Sequence, residues 1–360
     1  MREIHDRASL EAALADGEDL SAVHLVDVDL SEVSFAGAML QEVTFERCSL
    51  VQADLRESFL GTCRIVECDL SGARLHLAHA DATTFTGSRF AGADLTGFGA
   101  SGCDLDRTDL TGAQLFKAQI FRSSLRGASL AGTAVKNLVL AECALDGLDA
   151  RGAAFENLVA IRTDLRSVRL DGAELRTCNL CWCDLSGMQL AGAVLAGTNL
   201  MGSNLTNAIL AGCELTQANL QDAVLDGATL DGANAPRALF IGASLVGARM
   251  PRAELTGALF VRATLRDADL SGARMDQAIL ADALAPGACF SDVSLREADL
   301  SRADLSAADL LGADLYRARL HAILEDGARF DPSRALALGT DEDLARAEAF
   351  SPRRPRRAAA

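Results

Sequence analysis

The chain has almost no lysine: all its basic residues except Lys117 and Lys136 are arginine. Aromatics make up only 4%, so aliphatic side chains have to fill the interior. No stretch approaches eighteen consecutive apolar residues, which excludes a membrane-spanning helix. Net positive charge is absent too, and a formal charge of -16 argues against direct nucleic-acid binding while suiting solubility or a basic partner. The opening MREIHDRASLEAALADGEDL lacks the basic start, apolar run and small-residue cleavage site of a secretion signal, so the ten cysteines are expected to be reduced thiols of a cytoplasmic protein. Phosphate loops, nucleophile elbows and paired-histidine helical motifs are all missing, which leaves no catalytic constellation and no cofactor to expect. Of five histidines only His76 and His79 are neighbours, with Asp81 close by.

What the chain does have is a fixed period of five. From Leu20 to Phe330, 56 of the 63 positions whose number is divisible by five carry Leu, Phe, Ile, Val or Met. Two places before each such centre stands a small residue, most often Ala, and 27 of the 30 glycines stand two places after one. A helix would need apolar spacings of three and four, and a strand would need two. A period of five suits a chain that turns a corner after every short extended segment. Glycine two places beyond the centre fits a position with positive φ in a type II turn. Pro236, Pro251 and Pro286 fall one place earlier, where φ near -65° is wanted. Four such sides close one square coil, in which the centre and the small residue of each repeat point inward and the other three face solvent.

This pattern, with ADLTG at 93–97, CDLSG at 183–187 and ADLSG at 268–272, resembles the pentapeptide-repeat family over about residues 20–330. The resemblance implies an all-β fold, a right-handed quadrilateral parallel β-helix. Roughly 15 coils at about 4.8 Å each make a rod of about 72 Å. The expected organisation is an N-terminal capping segment over 1–19, the β-helix over 20–330, a C-terminal capping helix over 331–350 and a disordered basic tail over 351–360. Ser9 is expected to cap a helix ended by Gly17, and Thr340 with Asp343 to form a capping-box-like pair.

The stretch CNLCWCDLSG at 178–187 looks like a metal or redox site because two cysteines three apart can grip one ion. The frame argues otherwise. Cys178 and Cys183 fall in the small inward slot on adjacent sides, as do Cys48, Cys63, Cys68, Cys103, Cys143 and Cys213 on theirs, while Cys181 falls outside. Eight thiols thus read as core packing, and no metal ligand is expected. Cys48 and Cys68, one coil apart, should lie directly over each other. Where the centre shrinks to Ala100, Ala150 or Ala160, the small slot grows to Phe98, Leu148 or Leu158, as a dense core requires.

Stacking the outward positions coil on coil separates the sides. One carries Phe121, Val139, Val159, Ile161, Cys181, Trp182, Met201, Leu239, Ile241, Leu259, Val261 and Ile279, a stripe that solvent should not favour and that suits a protein partner or self-association. Trp182 is its expected anchor. Another side carries Asp29, Asp69, Asp109, Asp149, Asp269 and Asp309, interrupted by Arg89, Arg169 and Arg249. The resemblance supplies a competing idea here, since quinolone-resistance members of the family look like duplex DNA and bind gyrase. Without the four arginines of the tail, residues 1–350 carry a net charge of -20, about half the roughly 42 phosphates of a duplex of the same length. The sequence therefore supports a non-catalytic scaffold or adaptor using the apolar side, within a bacterial assembly such as a secretion apparatus, with an acidic DNA mimic directed at gyrase as the alternative.

Overall fold

The structure, a computed structural model, describes residues 4–18 and 20–349; the basic tail lies outside the described residues. The five-residue frame is the frame of the coil. Every position divisible by five from Leu20 to Leu320 is buried, and the small slots between them join the same continuous core. All 27 glycines in this frame have positive φ, 26 of them at coil corners and Gly17 just after the N-terminal helix. The slot keeps that conformation when glycine is absent, as at Asp27, Arg47, Trp182 and Arg302, so the corner is imposed by the stack rather than by local preference.

Successive coils pair in parallel and in constant register, with Leu20 opposite Leu40 and Leu25 opposite Phe45. The four sides take their order from their centres: the first holds Leu20, the second Leu25, the third Leu30 and the fourth Phe35. Seven strands form the longest sheet on the first side, from Leu20–Ser21 to Val139–Ala141. Shorter sheets form on the other three, and single bridges continue the ladder between them. The result is a parallel, quadrilateral solenoid of about 16 turns. The register gives way once. At the C-terminal end Arg319 pairs with Leu338, one place short of the regular partner position, after a short 3₁₀ turn over Pro332–Leu336.

Corners come in two kinds. In the tight kind the small residue's N–H donates to the preceding centre's carbonyl, as Ala258 does to Leu255 at 3.0 Å. In the wide kind a side chain from the next coil enters the turn. The N–H of Cys63 donates to Thr83 Oγ1 at 3.1 Å, and Thr83 Oγ1 donates to the carbonyl of Leu60 at 2.8 Å. Ser88 does the same between Cys68 and Ile65. Thiols substitute as weaker donors: Cys48, Cys63, Cys68 and Cys103 donate to the carbonyls of Leu25, Leu40, Phe45 and Ala80. The inward hydroxyls and thiols are therefore satisfied where they stand, as burial demands.

The ends differ. At the N-terminus α1 (Arg7–Ala15) lies on the first coils with Leu10 and Ala13 fully buried. Its N-cap is Asp6, not Ser9, which instead completes the capping box as the third helical residue. At the other end α2 (Glu342–Glu348) buries no residue. It is capped by Asp341; Thr340 instead accepts a hydrogen bond from the N–H of Ala322. Polar contacts hold this helix down: Glu348 meets His321 Nε2 at 3.2 Å and Arg302 at 3.2 Å.

Candidate functional site

The three cysteines of the 178–187 stretch do not converge. Cys178 donates to the carbonyl of Phe155 and Cys183 to that of Ala160, each on its own side of the coil. Burial pushes both thiols up to about 11, so they stay protonated donors. Cys181, on an outward position, is nonetheless buried, covered by its stacked neighbours. All ten thiols are free, including Cys48 and Cys68, which stack as expected with the Cys48 N–H 3.4 Å from Cys68 Sγ. No group of three His, Cys, Asp or Glu able to hold a metal occurs among the described residues. His79 is engaged elsewhere, its ring stacked on Phe59 with centroids 5.9 Å apart.

The acidic residues lie on the third side, opposite the apolar stripe. Each carboxylate there has local work. In a coil, the N–H of the residue just after the centre has no ladder partner, and the residue just before the centre can accept it in an Asx turn. Ser31 donates to Asp29 and Ser71 to Asp69 at 2.9 Å, Thr111 to Asp109 and Ser271 to Asp269 at 3.0 Å, and Leu311 to Asp309 at 3.2 Å. Arginines one coil away then offset the charge, with Arg89 on Asp109, Arg249 on Asp269 and Arg329 on Asp309. Asp149 is the most strongly held, bound by Arg151 at 2.6 Å with Arg169 at 3.9 Å. The hydrogen bond from Arg151 leads in bringing its carboxyl down to about 2.

A pH effect follows from that depressed value. Since the folded carboxyl titrates below the unfolded one, Asp149's contribution is complete above about pH 4 and is lost as pH falls toward 2. Asp149→Asn should flatten that part of the acid unfolding curve followed by circular dichroism. An unchanged slope between pH 4 and 2 would mean the pair adds nothing.

On the first side the apolar residues are present but not continuous. Val139 bridges Val159, and Leu239, Leu259 and Ile279 stack in turn, flanked by Ile241 and Val261. Between these two patches stand Asn179, Asn199 and Asn219, in the same column. Asn219 Nδ2 donates to Asn199 Oδ1 at 3.0 Å, and the three amide oxygens accept from the N–H groups of Cys181, Met201 and Gln221. In that column the stripe is therefore two apolar patches separated by an asparagine ladder. Phe121, Val139, Val159 and Ile161 belong to the first patch, while Cys181, Trp182 and Met201 stand beside the ladder, in the coils between the patches.

Trp182 is the most exposed of these residues at 50%. It occupies the glycine slot at φ 60°, and its indole lies along the rod over Gly202, where an added Cβ would come within 2.3 Å of Cε3. The apolar side also reaches further toward the N-terminus than the outward pattern suggested. Met39 is 58% and Leu77 55% exposed there, with Phe59 between them. Polar neighbours such as Gln41 and Asp81 hide this segment from a simple count of apolar residues.

The pentapeptide-repeats family model matches residues 19–56, 63–98, 151–187, 183–222, 218–257, 252–282 and 287–322. The chain belongs to this family. Among solved structures it is similar to the pentapeptide-repeat protein HetL, involved in heterocyst differentiation regulation in the cyanobacterium Nostoc sp. strain PCC 7120. The identity is 21% over 93% of this chain and 94% of that one, with a TM-score of 0.18. It is also similar to QnrB1, a plasmid-mediated fluoroquinolone resistance protein, at 18% identity over 81% of this chain and 99% of that one, with a TM-score of 0.25. No curated protein matches the sequence. At such identities and scores neither structure bears on what this pentapeptide-repeat protein binds. Among the described residues no helix is long and apolar enough to cross a membrane.

Proposed function

We propose that this protein is a non-catalytic scaffold that engages a protein partner through its first side. The observation that carries this reading is Trp182, a large aromatic half-exposed at φ 60°, between apolar patches on one side of the rod. The positive φ belongs to the slot and is shared by Asp27, Arg47 and Arg302; what marks Trp182 is a large indole left half-exposed to solvent. The third side supports this choice by contrast. Its carboxylates serve their own turns and neighbouring arginines, which leaves a weak imitation of a duplex backbone.

The competing reading as a gyrase-directed DNA mimic has a direct test. Purified protein titrated into a gyrase supercoiling assay, with and without a quinolone, is expected to neither inhibit nor protect at low micromolar concentration. Inhibition or protection present at low salt and lost at high salt would overturn the scaffold reading, because an electrostatic mimic is screened while apolar docking is not.

A further inference from the structure

Two glycines on the first side are not required by the backbone. Gly17 after the first helix and the 26 glycines at coil corners have positive φ and Gly339 follows the last coil, which leaves Gly61 and Gly99, the last and first residues of their three-residue strands. A glycine within a strand often marks a close approach by a ligand or another chain. At Gly61 the chain's own side chains take the space, since an added Cβ would lie 2.3 Å from Gln41 Oε1 and 2.8 Å from Phe59. At Gly99 only the edge of the His79 ring reaches into the corresponding space, and beside it lies an open hollow of about 230 Å³ that Gly99 helps to line. His79 forms one wall, Gln119 and Phe121 the other, with Leu77 and Ser101 at its ends. No Asp, Glu, Lys or Arg lines it.

The column holding Gly99 runs Met39, Phe59, His79, Gly99, Gln119, Val139, and Gly99 alone contributes no side chain, so room stays open between His79 and Gln119. His79 is already stacked on Phe59, with planes 21° apart, and leans over the gap with Nδ1 2.6 Å from where a Gly99 Cβ would stand. We propose that the hollow beside Gly99 receives an uncharged aromatic side chain of the protein partner. Coils repeat at about 4.8 Å, so a ring set in the hollow against the free face of His79 continues the Phe59–His79 series at stacking distance and meets Phe121 on its far side. A charged guest would be desolvated there without a counter-charge, and an aliphatic one would forgo the stack. The proposal rests on the first side being the docking surface and adds the chemistry of an anchor.

The test uses the full chain with labelled histidines, whose five side chains give a simple imidazole NMR spectrum. N-acetyl-tyrosinamide is titrated in parallel with N-acetyl-leucinamide. The aromatic amide is expected to give a saturable upfield shift of the His79 ring protons, and the aliphatic amide none. Gly99→Leu, which fills the hollow, should weaken the response at least tenfold. Phe121→Ala, which leaves the strand backbone unchanged, should weaken it several-fold and decides the matter if Gly99→Leu does not fold. No saturable shift at His79, equal shifts with both amides, or full retention in the folded variants would overturn the proposal. Because only purified chain is involved, such a failure is separate from a failure of the docking surface itself, which the Trp182 variant reads through recovered partners.

Discussion

Leu158→Ala is expected to lower stability by about 2–5 kcal/mol in denaturant unfolding, a large loss for one truncated side chain. Leu158 stands where most coils place alanine, and Ala160 stands where they place leucine; Leu148 and Ala150 repeat the exchange half a coil earlier. The exchange conserves volume imperfectly. An apolar cavity of about 20 Å³ remains, lined by these four residues with Phe155, Leu165 and Leu175 among others. Walls that have not closed on the existing void will close little further when the rest of the Leu158 side chain is removed, so the cavity cost adds to the lost transfer energy. The double variant Leu158→Ala with Ala160→Leu restores the common pattern and should recover most of the loss, a coupling expected of residues sharing one cavity. A single-variant loss below about 0.5 kcal/mol would mean Leu158 is not in the core.

The coil itself was legible because its period repeats so many times that single lapses are outvoted. Ala235 and Ala285 stand at centres and both remain buried. The positive φ at Arg47 or Trp182 could be placed by frame though not by residue type. Partner positions on adjacent coils followed from the same count. What the count could not supply is the direction in which side chains lean. Thr83 reaches into the turn of the coil before it, Trp182 lies over Gly202 of the coil after it, and Asp29 bends back to the N–H of Ser31. The first two depend on rotamers and on the neighbour one coil away, the third on a rotamer within its own turn. The acidic column seen in sequence is also a column of turn caps, its carboxylates accepting backbone N–H groups while staying ionised. The apolar column looks continuous until Asn179, Asn199 and Asn219 are seen to interrupt it, two of them bonded in series. The ends were least legible because the period stops there: Glu325 takes a centre position and is exposed, with Leu324 60% exposed beside it.

Trp182→Gly should separate binding from folding. Glycine is the residue this slot otherwise prefers, so the change relieves the strain of a positive φ while losing the indole's contact with Gly202. The two effects oppose each other, and unfolding stability should stay within about 1 kcal/mol of wild type. Partner affinity should fall by about 2 kcal/mol, roughly thirtyfold, because a half-exposed tryptophan between two apolar patches is the kind of residue that dominates an interface. Wild type and variant, purified in parallel from the same cells and compared by quantitative mass spectrometry, should differ at least tenfold in recovered partner; sedimentation at high concentration covers the case in which the partner is a second copy. Equal recovery with unchanged sedimentation would show that the indole serves only to cover Gly202. In that case the strain at Trp182 would be a tolerated cost of packing, and the first side would have no claim over the other three.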